Sequence, residues 1–291
     1  MQDPQDSGFV SVAGRVRDGL TRASASERRI ARALLASYPS AGLDTASSLG
    51  TQANVSTATV VRYVASLGYA SFREFQDALR AELALRSFSP LTGQPEDASG
   101  SRAGEDLRTS AGRLLGRQVE NSLDALPEDE LQAAVTLLTD PRLRITSFGG
   151  RFSYVLAHYL DLHLRLLRPG TRTLDVQPSV TAPFLADLGR RDVCVVFDVR
   201  RYQRDIVELA RQSKRRGATV VLFTDPWLSP VAEVADVVLP SRVEGASPFD
   251  SLVPATAVVE TVLAGVLERL GPQATARMEA IDLTFQGATT D

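Results

Sequence analysis

Short apolar runs that alternate with helical patterns fill the second half of the chain, and they restrict its fold more than any other feature. A run that is apolar at every position is typical of a strand buried on both faces, and such strands alternating with helices predict a doubly wound parallel sheet. The predicted strands lie at 143–148, 173–176, 193–197, 218–223 and 237–239. The predicted helices lie at 105–124, 127–139, 152–167, 181–188, 202–216 and 251–270.

The first part of the chain shows helical spacing only, which predicts an all-α domain. Ser24 and Glu27 have the spacing of a capping box, as do Ser71 and Glu74, so helices are predicted to begin at both places. A short helix is predicted at 45–51, before a turn at 52–55.

Segment 54–75 predicts a helix with two different faces. Ser56 can cap its start, because a serine hydroxyl accepts a hydrogen bond from a free N–H of the first turn, and Gly68 ends it. The predicted buried face recurs at helical spacing and consists of Val60, Val61, Val64 and Leu67. The opposite face has no acidic residue and consists of Ala58, Thr59, Arg62 and Ser66.

Three short helices with a tight turn before the third are typical of a helix-turn-helix unit, whose third helix enters the major groove of DNA. Arg62 could bind guanine or a phosphate, and Ser56 and Thr57 stand where free N–H groups would meet a phosphate. Spacing alone leaves an alternative open, which is a plain helical bundle whose third helix is amphipathic.

Charge favours a local interaction with nucleic acid. The formal net charge of the whole chain is −3, whereas residues 11–86 carry ten arginines and six acidic residues. This excess has the sign that DNA binding requires.

Cysteine and histidine content predicts no disulfide, metal or cofactor. Cys194 is the only cysteine and lies in an apolar run, which favours an inert buried thiol. His158 and His163 are five residues apart on a predicted helix and do not share a face for a metal, so packing or a dimer contact is expected. The sequence shows no signal peptide or membrane span, and a cytoplasmic protein is predicted.

Three motifs carry a family resemblance. A V-S-x-x-T-V-x-R-[FY] core begins at Val55, L-G-[FY] begins at Leu67, and F-x-x-F begins at Phe72. Through them, residues 20–85 resemble the N-terminal domain of the RpiR-type bacterial transcriptional regulators. The resemblance implies that Ser56, Thr57, Thr59 and Arg62 contact DNA. Ala58 and Ser66 join them on the outward face, and Tyr63 either touches the DNA backbone or packs.

Members of this family carry a C-terminal SIS (sugar isomerase) domain, a doubly wound α/β unit that binds phosphosugars, and the pattern from 105 to 271 resembles it. The predicted organisation is a helix-turn-helix DNA-binding domain at 1–86 and a SIS-like effector and oligomerisation domain at 105–291. The Ser-, Pro- and Gly-rich stretch 87–104 between them is predicted to be a linker.

Two loops after predicted strands are candidates for a ligand site, because ligands of such sheets bind at the carboxyl ends of the strands. The family's first loop usually reads G-x-G-x-S; Gly149 and Ser153 match, but Arg151 replaces the second glycine. The second usually reads S-x-S-G-x-T, with hydroxyls that hold a phosphate, whereas residues 198–203 read DVRRYQ. Bulky side chains therefore replace the backbone cradle of a phosphosugar site.

Two interpretations of the arginines in these loops remain open. Arg151, Arg200 and Arg201 could form an anion site, or they could pair with acids such as Asp198 and fill a degenerate pocket. In related isomerases a glutamate in a loop comparable to that of Glu244 acts as a base, but the altered second loop argues against catalysis here. The predicted effector-binding residues are Gly149, Gly150, Arg151, Ser153, Asp198, Arg200, Arg201, Tyr202 and Glu244.

The sequence thus predicts a transcriptional repressor that binds double-stranded DNA at an inverted-repeat operator as a homodimer or homotetramer. Its SIS-like domain is predicted to sense a small anionic metabolite such as a sugar phosphate or an organic acid. Two alternatives remain: a sugar-phosphate isomerase-like enzyme with an appended helical domain, and a DNA-binding dimer that needs no effector.

Overall fold

A computed structural model of the protein describes residues 12–20, 23–36, 38–86, 106–247 and 249–288. The chain forms two compact units, one helical and one α/β. The predicted linker at 87–104 lies outside the described residues, so the domain boundary remains a prediction.

The helical unit contains the helices that capping signals and apolar spacing predicted. At the start of the second helix, Ser24 N donates to Glu27 Oε2 at 2.7 Å and Glu27 N donates to Ser24 Oγ at 3.3 Å, which is a complete capping box. A four-residue helix after Pro39 was not predicted. The helices are α1 Val12–Leu20, α2 Ala25–Ala36, α3 Ser40–Leu43, α4 Ala46–Ala53, α5 Thr57–Ser66 and α6 Phe72–Arg86.

The core of this unit joins all six helices and corrects one detail of the predicted inner face of α5. Val60 and Val64 are buried as expected, but Val61 is 42% exposed. Tyr63 is only 3% exposed and takes the inner position. The reason is geometric: at 100° per residue, Tyr63 and Val64 flank the direction of Val60, whereas Val61 points to the side. The core side chains include Val16, Ile30, Leu34, Ala41, Leu49, Val60, Val64, Phe75 and Leu79.

Gly50 on α4 allows the close approach of the turn that leads into α5. A β-carbon at this position would lie 3.0 Å from the carbonyl oxygen of Val55. The Val55 N–H donates to the Gly50 carbonyl at 2.9 Å. Asn54 between them has a φ of +50°, in the left-handed region that asparagine tolerates better than most residues. The turn therefore depends on a residue without a side chain at position 50.

We expect Gly50→Ala to loosen α5. The added methyl group must displace the backbone at Val55, and this overpacking outweighs the roughly 1 kcal/mol by which alanine is favoured over glycine in a helix. Hydrogen–deuterium exchange of the full-length protein should show faster exchange of the α5 amides. Gly19→Ala is the control, because its β-carbon would meet only Leu67 Cδ2, at 3.6 Å. Equal protection of α5 in the two variants would contradict the prediction.

The α/β unit contains a five-stranded parallel sheet in the order β2-β1-β3-β4-β5, as its apolar runs predicted. The strands are β1 Arg144–Gly149, β2 Thr171–Thr173, β3 Asp192–Asp198, β4 Thr219–Thr224 and β5 Val237–Pro240. The prediction placed β2 at 173–176, so its start is two residues and its end three residues too late. The cause is that β2 is an edge strand, which needs no apolar run.

Helices cover both faces of the sheet. The helices of this unit are α7 Leu107–Asp124, α8 Glu128–Thr139, α9 Tyr154–Leu167, α10 Pro178–Asp187, α11 Arg204–Arg215, α12 Val253–Leu270 and α13 Pro272–Ala288. Three of them, α8, α9 and α12, form one core with the side chains of the sheet that face them, including Val193, Val195 and Phe197. The α11 helix packs on β3 and β4 but contributes to none of that core, so it covers the opposite face.

Two features of this unit differ from or extend the predictions. Helix α13 was not predicted: the last predicted helix ends at 270, yet after Gly271, which has a φ of +50°, the chain resumes helical structure at once. Cys194 is fully buried, as expected, and burial raises the pKa of its thiol to about 12, so the thiol stays protonated and unreactive. None of the described helices combines the length and apolarity needed to cross a bilayer.

The strand order fixes the position of the candidate ligand site. The chain goes from β1 outward to β2 and then crosses back to β3 on the other side of β1. Doubly wound sheets bind ligands at the carboxyl ends of the strands where the strand order reverses, which here are β1 and β3. The two loops selected from the sequence begin at these two strand ends.

Candidate functional site

The outward face of α5 is exposed and free of acidic side chains, as a DNA-reading helix requires. Ser56, Thr57, Ala58, Arg62 and Ser66 are all exposed. Ser56 caps the helix, since its Oγ accepts the Thr59 N–H at 3.2 Å, as predicted. Arg62 has no carboxylate partner among the described residues, and its side chain is exposed.

Two hydroxyls of this face have partners within the helix. Thr59 is half-buried, and its Oγ1 lies 2.8 Å from Ser56 Oγ. Ser66 Oγ donates to the Tyr63 carbonyl at 2.7 Å. Contact with DNA through these groups would require their remaining lone pairs or a rotation of the hydroxyl.

Tyr63 resolves the choice left open by the sequence in favour of packing. Its ring lies in the helical core and its hydroxyl oxygen is buried. Burial, with a smaller contribution from the charge of Glu27, raises the pKa of Tyr63 to about 12. We therefore remove Tyr63 from the predicted DNA contacts.

In the α/β unit, the loops after β1 and β3 are in direct contact. Ser153 Oγ donates to the Phe197 carbonyl at 2.7 Å and accepts the Gly150 N–H at 3.0 Å. A β-carbon on Gly149 would lie 2.9 Å from the Phe197 carbonyl oxygen, which explains why glycine is needed there. The matched positions of the first loop, Gly149 and Ser153, therefore fasten it to the end of β3.

Gln203, which was not among the predicted ligand residues, fills the space between the two loops. Its Oε1 accepts the Arg151 N–H, and a β-carbon on Gly150 would lie 2.5 Å from the same oxygen. The amide oxygen of Gln203 thus already accepts a backbone N–H just before α9, a group that could otherwise bind an anionic ligand. The only signal in the sequence was its place as the last residue of the altered loop.

Asp198 is buried and pairs with no arginine among the described residues, contrary to the pairing that the second interpretation suggested. Its Oδ2 accepts from the Ser229 hydroxyl, and its Oδ1 accepts the Gln203 N–H at 3.4 Å. Burial raises the pKa of Asp198 to about 7; the two hydrogen bonds oppose this rise, and the charge of Asp225 adds to it. At only 1% exposure, Asp198 supports the loop from below and does not face a ligand.

Asp225, which directly follows β4, accepts hydrogen bonds from two residues of the second loop. Its Oδ2 accepts the Arg200 N–H at 2.6 Å and its Oδ1 accepts the Tyr202 hydroxyl at 2.8 Å. The predicted ligand residue Tyr202 is therefore oriented by an acid from the neighbouring strand. Arg201 lies between the two contacts with a φ of +62°, a conformation that is unusual for arginine and that the contacts on either side impose.

The three arginines have different environments and do not form one cluster. Arg200 pairs with Asp250, with Nη1 3.1 Å from Oδ1, and only 9% of its side chain is exposed. Arg151 is exposed and its guanidinium lies 5.1 Å from the centre of the Phe152 ring. Arg201 is exposed. Burial raises the pKa of Asp250, and the charges of Arg200 and Arg201 oppose this rise, so Arg201 lies near Asp250. The acid that pairs is thus Asp250, and Arg151 and Arg201 are the accessible cations.

Glu244 lies half-buried in the loop that follows β5. Its Oε2 accepts the Val243 N–H at 3.2 Å, and its charge contributes to the raised pKa of Asp250. Glu244 therefore belongs to the same polar region as Arg201 and Asp250, at the carboxyl edge of the sheet.

A cleft of about 460 Å³ lies at the other edge of the sheet, below α9 and α13. Arg168 lines it, but its guanidinium donates to the carbonyl oxygens of Leu138, Asp140 and Leu143 at 2.5 to 2.8 Å. This arginine ties the ends of α8 and α9 together, so its chemistry is structural.

Each histidine of α9 has a ring nitrogen close to one oxygen atom of the same unit. His158 Nδ1 lies 3.3 Å from Thr173 Oγ1, and His163 Nδ1 lies 2.9 Å from the Tyr159 carbonyl oxygen. Within the described part of the chain, no group of three or more His, Cys, Asp or Glu residues could hold a metal ion.

Asp198 should make the stability of the protein depend on pH. Because its pKa in the folded state is about 7, above the ordinary 3.8, the folded protein retains a proton that the unfolded chain loses. This contribution is complete below pH 4 and is lost as pH rises towards 7. We expect the melting temperature of the wild type to fall relative to Asp198→Asn over that interval. Asp187→Asn, at an exposed acid on α10, is the control, and parallel profiles of all three proteins would contradict the expectation.

Comparisons with known protein families agree with both units. The family "Helix-turn-helix domain, rpiR family" matches residues 11–86, and the family "SIS domain" matches residues 137–265. The crystal structure of the sugar isomerase domain of an RpiR transcription factor from Sphaerobacter thermophilus is 28% identical, with a TM-score of 0.58, and the match covers 61% of this chain and 99% of that one. The NanR protein of Vibrio vulnificus, complexed with ManNAc-6P, shares the fold at 16% identity with a TM-score of 0.55, over 96% of this chain and 99% of that one.

Similar full-length proteins carry the same description. An HTH-type transcriptional regulator of Haemophilus influenzae is 29% identical over 244 residues, which are 81% of this chain and 80% of that protein. One of Providencia stuartii is 24% identical over 237 residues, 80% of this chain and 81% of that protein.

A helix-turn-helix unit with an exposed reading helix, followed by a SIS domain, defines a DNA-binding transcriptional regulator. The chain belongs to the rpiR family of these regulators.

Proposed function

We propose that the protein is a repressor that binds an inverted-repeat operator through α5 of two copies, and that its SIS domain binds a small anionic metabolite that changes operator affinity. The observation that carries this proposal is the outward face of α5, which is exposed, free of acids and anchored from behind by Val60, Tyr63 and Val64. Two copies related by a two-fold axis would place their reading helices in successive major grooves, about 34 Å apart.

Four exposed residues of α5 and its cap have proposed roles. Ser56 and Thr57 lie at the helix N-terminus, where free N–H groups favour a DNA phosphate. Ala58 is small enough to let the helix approach base edges. Arg62, one turn further along, can bind the O6 and N7 acceptors of a guanine with two N–H groups.

Arg62→Ala should weaken binding to the specific operator by about 10- to 100-fold, because one bidentate base contact contributes about 1–3 kcal/mol. Operator fragments recovered by the purified protein from genomic DNA provide the probe for a mobility-shift titration at fixed salt. Arg80→Ala is the matched control, since Arg80 is exposed on α6 and paired with Asp77 at 2.7 Å. Unchanged operator affinity in Arg62→Ala would mean that α5 reads DNA through other residues.

The same operator, placed upstream of a reporter gene, tests the sign of regulation. Expression that falls when the regulator is supplied supports repression, and expression that rises supports activation instead.

For the effector, the proposal rests on the polar region at the carboxyl ends of the strands. Arg151, in the loop after β1, and Arg201, in the loop after β3, offer accessible positive charge there, and Arg201 lies near the carboxylate of Asp250, which Glu244 also influences. Cations and carboxylates together suit a metabolite with an acidic group and hydroxyls, such as a sugar phosphate or a hydroxy acid. Because ManNAc-6P is bound by NanR, a protein with the same fold, phosphorylated amino sugars are the first compounds to test.

Catalysis is not part of the proposal. The carboxylate of Glu244 accepts its neighbour's backbone N–H, and the similar curated proteins are named as regulators. Turnover of a phosphorylated sugar that Glu244→Gln abolishes would favour the enzyme instead.

Thermal-shift screening of the full-length protein against phosphorylated sugars and organic acids should identify a ligand that raises its melting temperature. With such a ligand, we expect Arg201→Ala to lose most of the shift, because the variant lacks an accessible cation in the polar region. Arg191→Ala is the control: Arg191 is also exposed but precedes β3, at the opposite edge of the sheet. An equal shift in all three proteins would place the ligand elsewhere, and no shift with any compound would favour a dimer without an effector.

A further inference from the structure

The last turn of the reading helix α5, residues 63–66, contains no basic residue. The carbonyl end of a helix carries a partial negative charge, which a nearby cation stabilises. Arg15 of α1 supplies such a cation from 52 positions earlier in the chain, since its Nη1 donates to the Leu67 carbonyl oxygen at 3.2 Å. Leu67 is the residue that caps the end of α5. The carboxyl end of α5 is therefore held from α1.

The two residues after Leu67 accommodate the guanidinium of Arg15. Gly68 has a φ of +92°, and a β-carbon there would lie 3.2 Å from Arg15 Nη1. The guanidinium carbon of Arg15 lies 5.0 Å from the centre of the Tyr69 ring, within the range of a cation–π interaction. That ring is buried and packs edge-on against Phe75 of α6, with 5.5 Å between the ring centres. One side chain thus joins α1 to the end of α5 and to the turn that leads into α6.

Helix α1 is itself fixed to the helical unit, so it can support Arg15. Val12 and Val16 are buried in the core of that unit. The Val12 N–H donates to Oε1 of Glu82, a buried carboxylate of α6 that also accepts from the Tyr38 hydroxyl. Arg15 is half-buried on this helix, so its guanidinium is held in place before any DNA binds.

The position of the last turn matters for DNA reading because α5 is short. Its 10 residues extend over about 15 Å. A displacement of about 1 Å at one end therefore tilts the helix by about 4° and moves Ala58 and Arg62 relative to the bases. Hydrogen bonds to bases tolerate little of this, because their donor–acceptor distances stay close to about 2.9 Å. Ser56 caps the first turn of α5, and Arg15 is its counterpart at the last.

We propose that Arg15 is a positioning residue for DNA binding, which fixes the carboxyl end of α5 from α1 without contacting DNA itself. This role rests on the proposed function, in which α5 reads the operator. Because Arg15 acts through the Leu67 carbonyl, its removal should weaken specific recognition and leave the general attraction between protein charge and DNA phosphates almost unchanged.

Mobility-shift titrations of the full-length protein on the recovered operator, over a range of salt concentrations, test this role. We expect Arg15→Ala to weaken operator binding about three- to tenfold, because it removes a charge-assisted hydrogen bond at the end of the helix. The slope of log affinity against log salt should equal that of the wild type, since this slope counts phosphate contacts. Arg15→Lys keeps a cation and a donor, so its affinity should return to within about twofold of the wild type.

Arg80→Ala is the control, because Arg80 is exposed and pairs with Asp77 of its own helix at 2.7 Å. It should leave operator binding unchanged. Wild-type affinity in Arg15→Ala, or no recovery in Arg15→Lys, overturns the proposal. A salt slope that is shallower by about one in Arg15→Ala also overturns it, since Arg15 would then contact a DNA phosphate directly. If Arg15→Ala does not fold, Arg15→Gln takes its place under the same criteria, because glutamine is smaller in change and uncharged.

Hydrogen–deuterium exchange without DNA tests the contact itself. The amides of Leu67, Gly68 and Tyr69 donate to carbonyl oxygens of α5, and they should exchange faster in Arg15→Ala than in the wild type. The Leu49 amide of α4 should keep its rate. Unchanged exchange at the end of α5, or equal acceleration at Leu49, would contradict a local role of Arg15.

The proposed function and the role of Arg15 fail in different variants. If α5 does not read DNA, Arg62→Ala binds the operator as the wild type does, and the role of Arg15 in DNA binding fails with it. If α5 reads DNA but Arg15 does not position it, Arg62→Ala weakens operator binding and Arg15→Ala does not.

Discussion

The need to cover both faces of a parallel sheet determines most of the α/β unit. All seven residues of β3 are buried, so helices must lie above and below it. Each connection between parallel strands then has to carry a helix or a long segment back across a face, and every loop that follows a strand emerges at the same edge. The strand order makes β1 and β3 neighbours, so the loops that follow them meet at that edge and are in direct contact. The candidate ligand residues meet there because of this topology.

Hydrogen bonds between the loops then determine which charged groups remain accessible at this edge. Arg200 and Tyr202 are held by Asp225, and the amide of Gln203 occupies the N–H of Arg151. The accessible cations are those that these bonds leave out, Arg151 and Arg201. In the proposed site, side chains therefore carry the positive charge in place of the backbone cradle that the family usually has, and a ligand that used the Arg151 N–H would have to displace the Gln203 oxygen.

Local signals explain what could be predicted from the sequence. Capping residues and a strong apolar face determined α5, and continuous apolar runs determined β3 and β4. Edge strand β2 and helix α13 were misplaced or missed, because one carries no apolar run and the other follows a glycine that normally ends a helix. Asp225, Gln203 and Asp250 are far from their partners along the chain. Their roles arise only when the sheet brings neighbouring loops together, and no pattern in one sequence records this.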